Sequence, residues 1–215
     1  MITVIGCNKG GAGKSTVATN LAVGLALRGK DVCLIDADAQ RSAAKWHRDR
    51  EENDLEPQIT LVEKLDNLSS TLMSLRDRFD EIIVDVPGRN SRELITAGAV
   101  ADVIIAPHQA SQLDLDTLEE LELQTARLRD MNPDLHVYVY HTMASTNPMV
   151  KDDERRDFLA YVGDLEGFTP LDSVGHFRKA YRDVIGEGKS VLESNNAAAV
   201  DEIKALLSEV FTNGN

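Results

Sequence analysis

Cysteine is nearly absent from this 215-residue chain, Cys7 and Cys33 being the only two. Both fall inside predicted strands, where a free thiol behaves as a small buried hydrophobe, so a disulfide framework is not expected. Basic residues are outnumbered, 23 Lys and Arg against 36 Asp and Glu, for a formal net charge of -13. A chain of that sign is not built to coat nucleic acid with its whole surface, and any DNA contact has to come from a local basic patch working against the global field. Long apolar runs are missing too. No stretch approaches the roughly 20 residues of a membrane span. The amino terminus enters a strand at once, with neither a charged n-region nor an apolar h-region, which predicts a cytoplasmic protein. Aromatic residues make up 5% of the chain, and the single Trp, Trp46 on a predicted helix, reads as a packing anchor. The five histidines, 47, 108, 136, 141 and 176, show no metal-ligand spacing.

The 42% of hydrophobic residues can fill the core of one domain spanning 1–215. Apolar strands alternate with amphipathic helices along the whole length, without linker, repeat or low-complexity tract. That order predicts an α/β protein with a mostly parallel sheet covered by helices on both faces.

The strand Ile2-Thr3-Val4-Ile5-Gly6-Cys7 runs directly into Asn8-Lys9-Gly10-Gly11-Ala12-Gly13-Lys14-Ser15-Thr16, which opens a helix from Thr16 to Arg28. Strand, glycine-rich loop and helix in that order make a phosphate-binding loop. The glycines turn successive N–H groups toward one anion, Lys14 supplies a point charge for the β- and γ-phosphates, and the Ser15 hydroxyl can ligate Mg²⁺. An ordinary strand-to-helix turn would not require two lysines framing three glycines.

Two carboxylate sites follow. Strand two, Asp31 to Asp36, ends in Asp36-Ala37-Asp38-Ala39-Gln40. Ligands of open α/β sheets sit outside the carboxyl ends of strands, so these acids should face the phosphates, although Asp-x-Asp at a strand end also fits a solvated turn or a helix cap. Farther on, Ile82-Ile83-Val84 ends in Asp85-Val86-Pro87-Gly88, a Walker B arrangement in which Asp85 holds Mg²⁺ through water and the Gly88 N–H reaches the γ-phosphate.

The Lys-Gly-Gly-Ala-Gly-Lys-Ser run, with Asn8 where the strict motif has glycine, resembles the deviant Walker A of the ParA/MinD-type ATPases, and the chain resembles small plasmid-partition ParA proteins over essentially its whole length. The resemblance implies an ATPase using ATP and Mg²⁺, with Lys9, Gly10, Gly11, Ala12, Gly13, Lys14, Ser15, Thr16 and Gly88 around the nucleotide. It implies that Lys9 reaches the partner's phosphates in an ATP-sandwich homodimer. Asp38 would position the attacking water, and Ser15, Asp36 and Asp85 would make or support the metal site. Adenine would lie near the end of the strand Leu135–His141, at His141-Thr142, and the segment after the strand ending at Pro107 would lie at the dimer interface. Asp114, Asp116, Glu119 and Glu120 of the following helix read as a solvated face.

Near the carboxyl end Arg178, Lys179 and Arg182 sit at helical i,i+3 and i,i+4 spacing, with no acid before Asp183, forming the one compact basic cluster. It either solubilises a surface helix or, as the resemblance implies, contacts nucleoid DNA without sequence preference. The last helix, Ser194 to Phe211, carries an apolar stripe of Val200, Ile203, Leu207 and Val210, with Asp201, Glu202 and Glu209 on its polar side. It should pack as core, since it lacks the cations of a lipid-binding tail. The expectation is a nucleoid-associated partition ATPase released from DNA by a ParB-like centromere-binding adaptor, with no membrane partner. The alternatives are a MinD-like membrane-positioning ATPase or one that positions a protein cargo. A metabolic ligase or reductase of the same fold remains a rival, though no cysteine sits where a bridging cluster would need it.

Overall fold

The computed structural model describes residues 1–89, 91–110 and 112–211, with the side chains of 112–116 outside the description. Seven strands form one sheet: β1 (Ile2–Ile5), β2 (Val32–Asp36), β3 (Thr60–Glu63), β4 (Glu81–Asp85), β5 (Val103–His108), β6 (His136–Ala144) and β7 (Thr169–His176). Their order is β3-β2-β4-β1-β5-β6-β7, and every pairing is parallel. The helices are α1 (Lys14–Leu27), α2 (Ser42–Glu52), α3 (Ser69–Leu75), α4 (Arg92–Gly98), α5 (Gln112–Met131), α6 (Lys151–Gly163), α7 (Lys179–Ile185) and α8 (Ala197–Val210).

A parallel strand buried on both faces sends successive side chains to opposite layers. Ile82 and Val84 of β4 join Leu72 of α3, Leu94 of α4, Leu121 of α5 and Phe158 of α6 in one core. Ile83 joins Val17 and Leu21 of α1, Trp46 of α2, Val184 of α7 and Leu206 of α8 in the other. Trp46 is the anchor its sequence context predicts, 1% exposed, with its indole N–H donating to the Lys189 carbonyl. Both cysteines are buried and neither forms a disulfide, and burial pushes the Cys33 thiol up to about 12.

Helix α5 begins at Gln112, soon after β5 ends at His108, and the Asp114 and Asp116 side chains, expected on a solvated face, lie outside the described residues. Helix α8 buries Ile203 and Leu207 of the expected stripe together with Ala199, Glu202 and Leu206, while Val200 and Val210 are half-buried. Glu202, expected on the polar side, therefore faces inward.

Candidate functional site

β1 lies between β4 and β5, and the loop 6–13 leaves its carboxyl end at the point where the chain's strands are added to either side, the crevice position of open α/β sheets. Gly11 and Gly13 adopt φ of 76° and 89°, a left-handed backbone that only glycine takes without strain, and Gly13 is the residue from which α1 starts. The first turn of α1 thus directs its unpaired N–H groups into a cleft lined by Gly10, Lys14, Ser15, Asp38, Gly88 and Arg89.

Lys14 is 7% exposed, and its ammonium donates to the Lys9 carbonyl at 2.8 Å, with Cys7 Sγ at 3.9 Å. Gly88 closes over it: a Cβ there would lie 2.5 Å from Lys14 Nζ and 2.6 Å from the Lys9 carbonyl oxygen. The turn after β4 can approach the lysine only because residue 88 has no side chain.

Asp36 and Asp85 are register partners on adjacent strands, and both are buried. Their environments differ. Asp36 accepts from the backbone N–H groups of Asp38 (3.0 Å) and Ala44 (2.7 Å), so both its oxygens are committed to fixing the turn into α2. Burial raises its pKa against those two bonds, which lower it. Asp85, 1% exposed, has no hydrogen-bond partner of good geometry on either oxygen. Burial pushes its carboxyl up to about 7, the neighbouring Asp36 and Asp38 add to the rise, and the Ser15 hydroxyl and Lys14 ammonium oppose it. A buried acid with no well-formed bond on either oxygen, beside the Ser15 hydroxyl that lines the phosphate cleft, fits a divalent cation, which would restore its charged form. Asp38 stands at the rim, half-buried, its side chain accepting from the Gln40 N–H at 2.9 Å.

A second cavity of about 150 Å³ adjoins the first and shares Gly13, Thr16, Met143 and Ile185 with it. Its walls come from the ends of β6 and β7 and from α7, with Tyr140, His176, Phe177, Arg178 and Tyr181 among them. The lining is mostly apolar, and a cavity of roughly this size accepts a planar aromatic ring.

Not every expected residue occupies this space. His141 is fully buried on the other side of the sheet, stacked on Phe158 of α6 at 4.3 Å. Thr142, by contrast, does line the second cavity, and its hydroxyl donates to the Ala12 carbonyl at 3.0 Å, which braces the phosphate loop. Met143, at φ 54°, is the β6 residue at the junction of the two cavities. The basic cluster is also rearranged. Arg178 has extended backbone at the amino end of α7, not helical, and its Nε donates to Glu202 at 2.7 Å. Lys179 pairs with Asp183 at 2.8 Å, and the Arg182 guanidinium lies 5.2 Å from the exposed Phe177 ring. The three cations do not share one helix face, because the helix starts one residue too late to include Arg178. Sequence reasoning passed over Arg89 and Glu202. Arg89 directly follows the Pro87-Gly88 turn, which was a usable signal; Glu202 had none.

A phosphate loop at the centre of a parallel sheet, with two carboxylates on neighbouring strands and the second lysine of the deviant motif, defines a ParA/MinD-type P-loop ATPase. Within that class the chain belongs to the MipZ family, whose model, ATPase MipZ, matches residues 1–141. It is 29% identical over 211 residues to maintenance of carboxysome distribution protein A of Halothiobacillus neapolitanus, covering 94% of this chain and 93% of that one. It is 26% identical over 219 residues to Protein ParA of Rhizobium radiobacter, covering 98% and 96%. Among solved structures, a putative plasmid partition protein from Borrelia burgdorferi bound to AMPPNP superposes with a TM-score of 0.72 at 20% identity, covering 97% of each chain. The chain is thus a nucleotide-binding ATPase. No helix among the described residues is long and apolar enough to cross a membrane.

Proposed function

We propose that this ATPase is a nucleotide-driven partition switch: Mg-ATP closes two copies face to face, the closed dimer binds DNA without sequence preference, and hydrolysis stimulated by a centromere-binding, ParB-like adaptor releases it. The observation that carries the reading is the open rim of the phosphate cleft. Asp38 is half-buried while Gln40 and Arg89 are exposed, so the chain does not cover its own reacting centre. A second copy, bringing its own Lys9, would exclude water and add positive charge there.

In this reading the α1 amino terminus and the Gly88 N–H bind the phosphates, and Lys14 exchanges the Lys9 carbonyl for a phosphate oxygen. Ser15 and Asp85 would hold Mg²⁺, with Asp36 as a charge behind them, and the ion would supply positive charge opposite the phosphate oxygens. Asp38 orients a water for in-line attack on the γ-phosphorus as the bond to the β-phosphate oxygen breaks. Lys9, Lys14 and Arg89 face the charge that develops. Because closure needs the γ-phosphate, ATP shifts the monomer–dimer population. The adjoining cavity takes the base.

DNA contact falls to Lys179 and Arg182, which are exposed, whereas Arg178 is tied to Glu202. The test is retention of non-specific duplex DNA with ATP, ADP or no nucleotide across a salt series. ATP-dependent, salt-sensitive binding that falls in Lys179→Ala/Arg182→Ala supports the reading. A dimer that ignores DNA in every nucleotide state sinks it, and then a protein cargo gains, the reading favoured by the kinship to a carboxysome distribution protein. A membrane matrix is disfavoured by α8, whose apolar stripe is spent in the core.

A further inference from the structure

Glu202 is a carboxylate of α8 that is 8% exposed and stands behind the wall of the second cavity. Four groups converge on it: the His176 backbone N–H (3.3 Å), His176 Nδ1 (2.8 Å), Arg178 Nε (2.7 Å) and the Tyr181 hydroxyl (2.9 Å). All three partners are cavity-wall residues, drawn from the end of β7, the β7–α7 connection and α7. They belong to separate backbone elements, and among the described residues Glu202 is the one group that all three bond. A second acid of the same helix, Glu209, accepts from the backbone N–H groups of Asp172 (2.6 Å) and Ser173 (2.9 Å), which holds the edge strand β7 along the same helix.

A buried carboxylate is tolerated only when its lone pairs are filled, and charge-assisted bonds are the strong ones. Here filling them fixes the rotamers of His176, Arg178 and Tyr181 and with them the shape of the cavity. The neighbouring β6 contributes Tyr140, whose hydroxyl lies 2.6 Å from where a Cβ on Gly175 would be, so the wall has little slack.

We infer that Glu202 is a positioning residue for nucleobase binding: it preorganises the His176–Arg178–Tyr181 wall, so that selectivity for the base is set from α8, at the far end of the chain from the phosphate loop. The inference rests on the proposal that the second cavity takes the base. It makes Arg178 part of the nucleotide site and not of a DNA surface. A preformed wall loses less side-chain freedom on binding than a loose one, and that difference is read only by ligands that touch the wall.

The test is isothermal titration of Mg-ATP, Mg-GTP and Mg-tripolyphosphate into the full chain, for the wild type, Glu202→Gln and the milder Tyr181→Phe, with thermal melts confirming folding. The expected result is that Glu202→Gln weakens ATP about tenfold and narrows the ATP-to-GTP ratio, while tripolyphosphate, which reaches only the phosphate loop, is unchanged. Tyr181→Phe shows the same pattern at smaller size, and carries the test if Glu202→Gln does not fold. Wild-type preference for ATP over tripolyphosphate that survives in the variants overturns the role of Glu202 and leaves the base cavity standing. Equal loss of all three ligands overturns it as well, since that marks general loosening. Equal wild-type affinity for ATP and tripolyphosphate overturns the base cavity itself.

Discussion

The two ends of the nucleotide cleft are built in opposite ways. At the phosphate end the groups are backbone-led and sit at the carboxyl ends of strands: loop N–H groups, Lys14 on the first turn of α1, and carboxylates at the ends of β2 and β4. At the other end the wall is assembled from β6, β7, α7 and α8, held by side-chain bonds that converge on one carboxylate, Glu202. The first end depends on backbone geometry, the second on which side chains meet Glu202.

Lys14→Ala separates the ends most sharply. Removing the ammonium at the phosphate end should cut phosphate release by about 10²–10³-fold. Turnover within tenfold of wild type would place the reacting centre elsewhere. Gly88→Ala comes next, because its Cβ would press on Lys14 Nζ and the Lys9 carbonyl. Displacing the lysine should lower turnover by roughly 10²-fold with the melting temperature nearly kept. Wild-type turnover in that variant would mean the 88 turn moves freely. Gly175→Ala probes the opposite end: its Cβ would lie 2.6 Å from the Tyr140 hydroxyl. The wall must shift, and ATP affinity should fall about tenfold while tripolyphosphate affinity holds. Loss of both together would erase the distinction between the ends.

The smallest effect concerns His141, which sits outside both ends. Burial lowers its pKa from 6.5 to about 4, with Arg155 and His176 reinforcing the fall and Glu154 opposing it. The folded chain keeps the ring neutral, while the unfolded chain takes up a proton below its ordinary pKa. Stability is therefore full above pH about 6.5 and declines as pH falls toward 4. His141→Phe should flatten the pH dependence of the melting temperature between pH 7 and 5, and an unchanged slope would assign it to another group.

The sequence was most legible where function depends on order along the chain. Strand, glycines, lysine and hydroxyl are adjacent, and strand-terminal acids can be recognised from the apolar runs before them, so the phosphate loop and the acids at the ends of β2 and β4 could be located and the parallel, two-faced sheet foreseen. The part assigned to Asp38 came from the family resemblance. It was least legible where function depends on what meets in space. Nothing along the chain says that Asp36 spends both oxygens on backbone N–H groups, or that α8 is rotated enough to bury Glu202. Helical spacing joined Arg178 to Arg182 on paper, but the helix begins at Lys179. Nor does the sequence say that Gly188, at φ 70°, lies against the α2 backbone, where Arg50 pairs with Glu193 at 2.9 Å.

The most direct test of the proposed switch is sedimentation of the Asp38→Ala variant, in which bound ATP should persist unhydrolysed, with Mg-ATP, Mg-ADP and no nucleotide. The account predicts a dimer with Mg-ATP alone, reverting to monomer when Lys9→Ala is added. A monomer in all three conditions, with ATP shown to be bound, would contradict it.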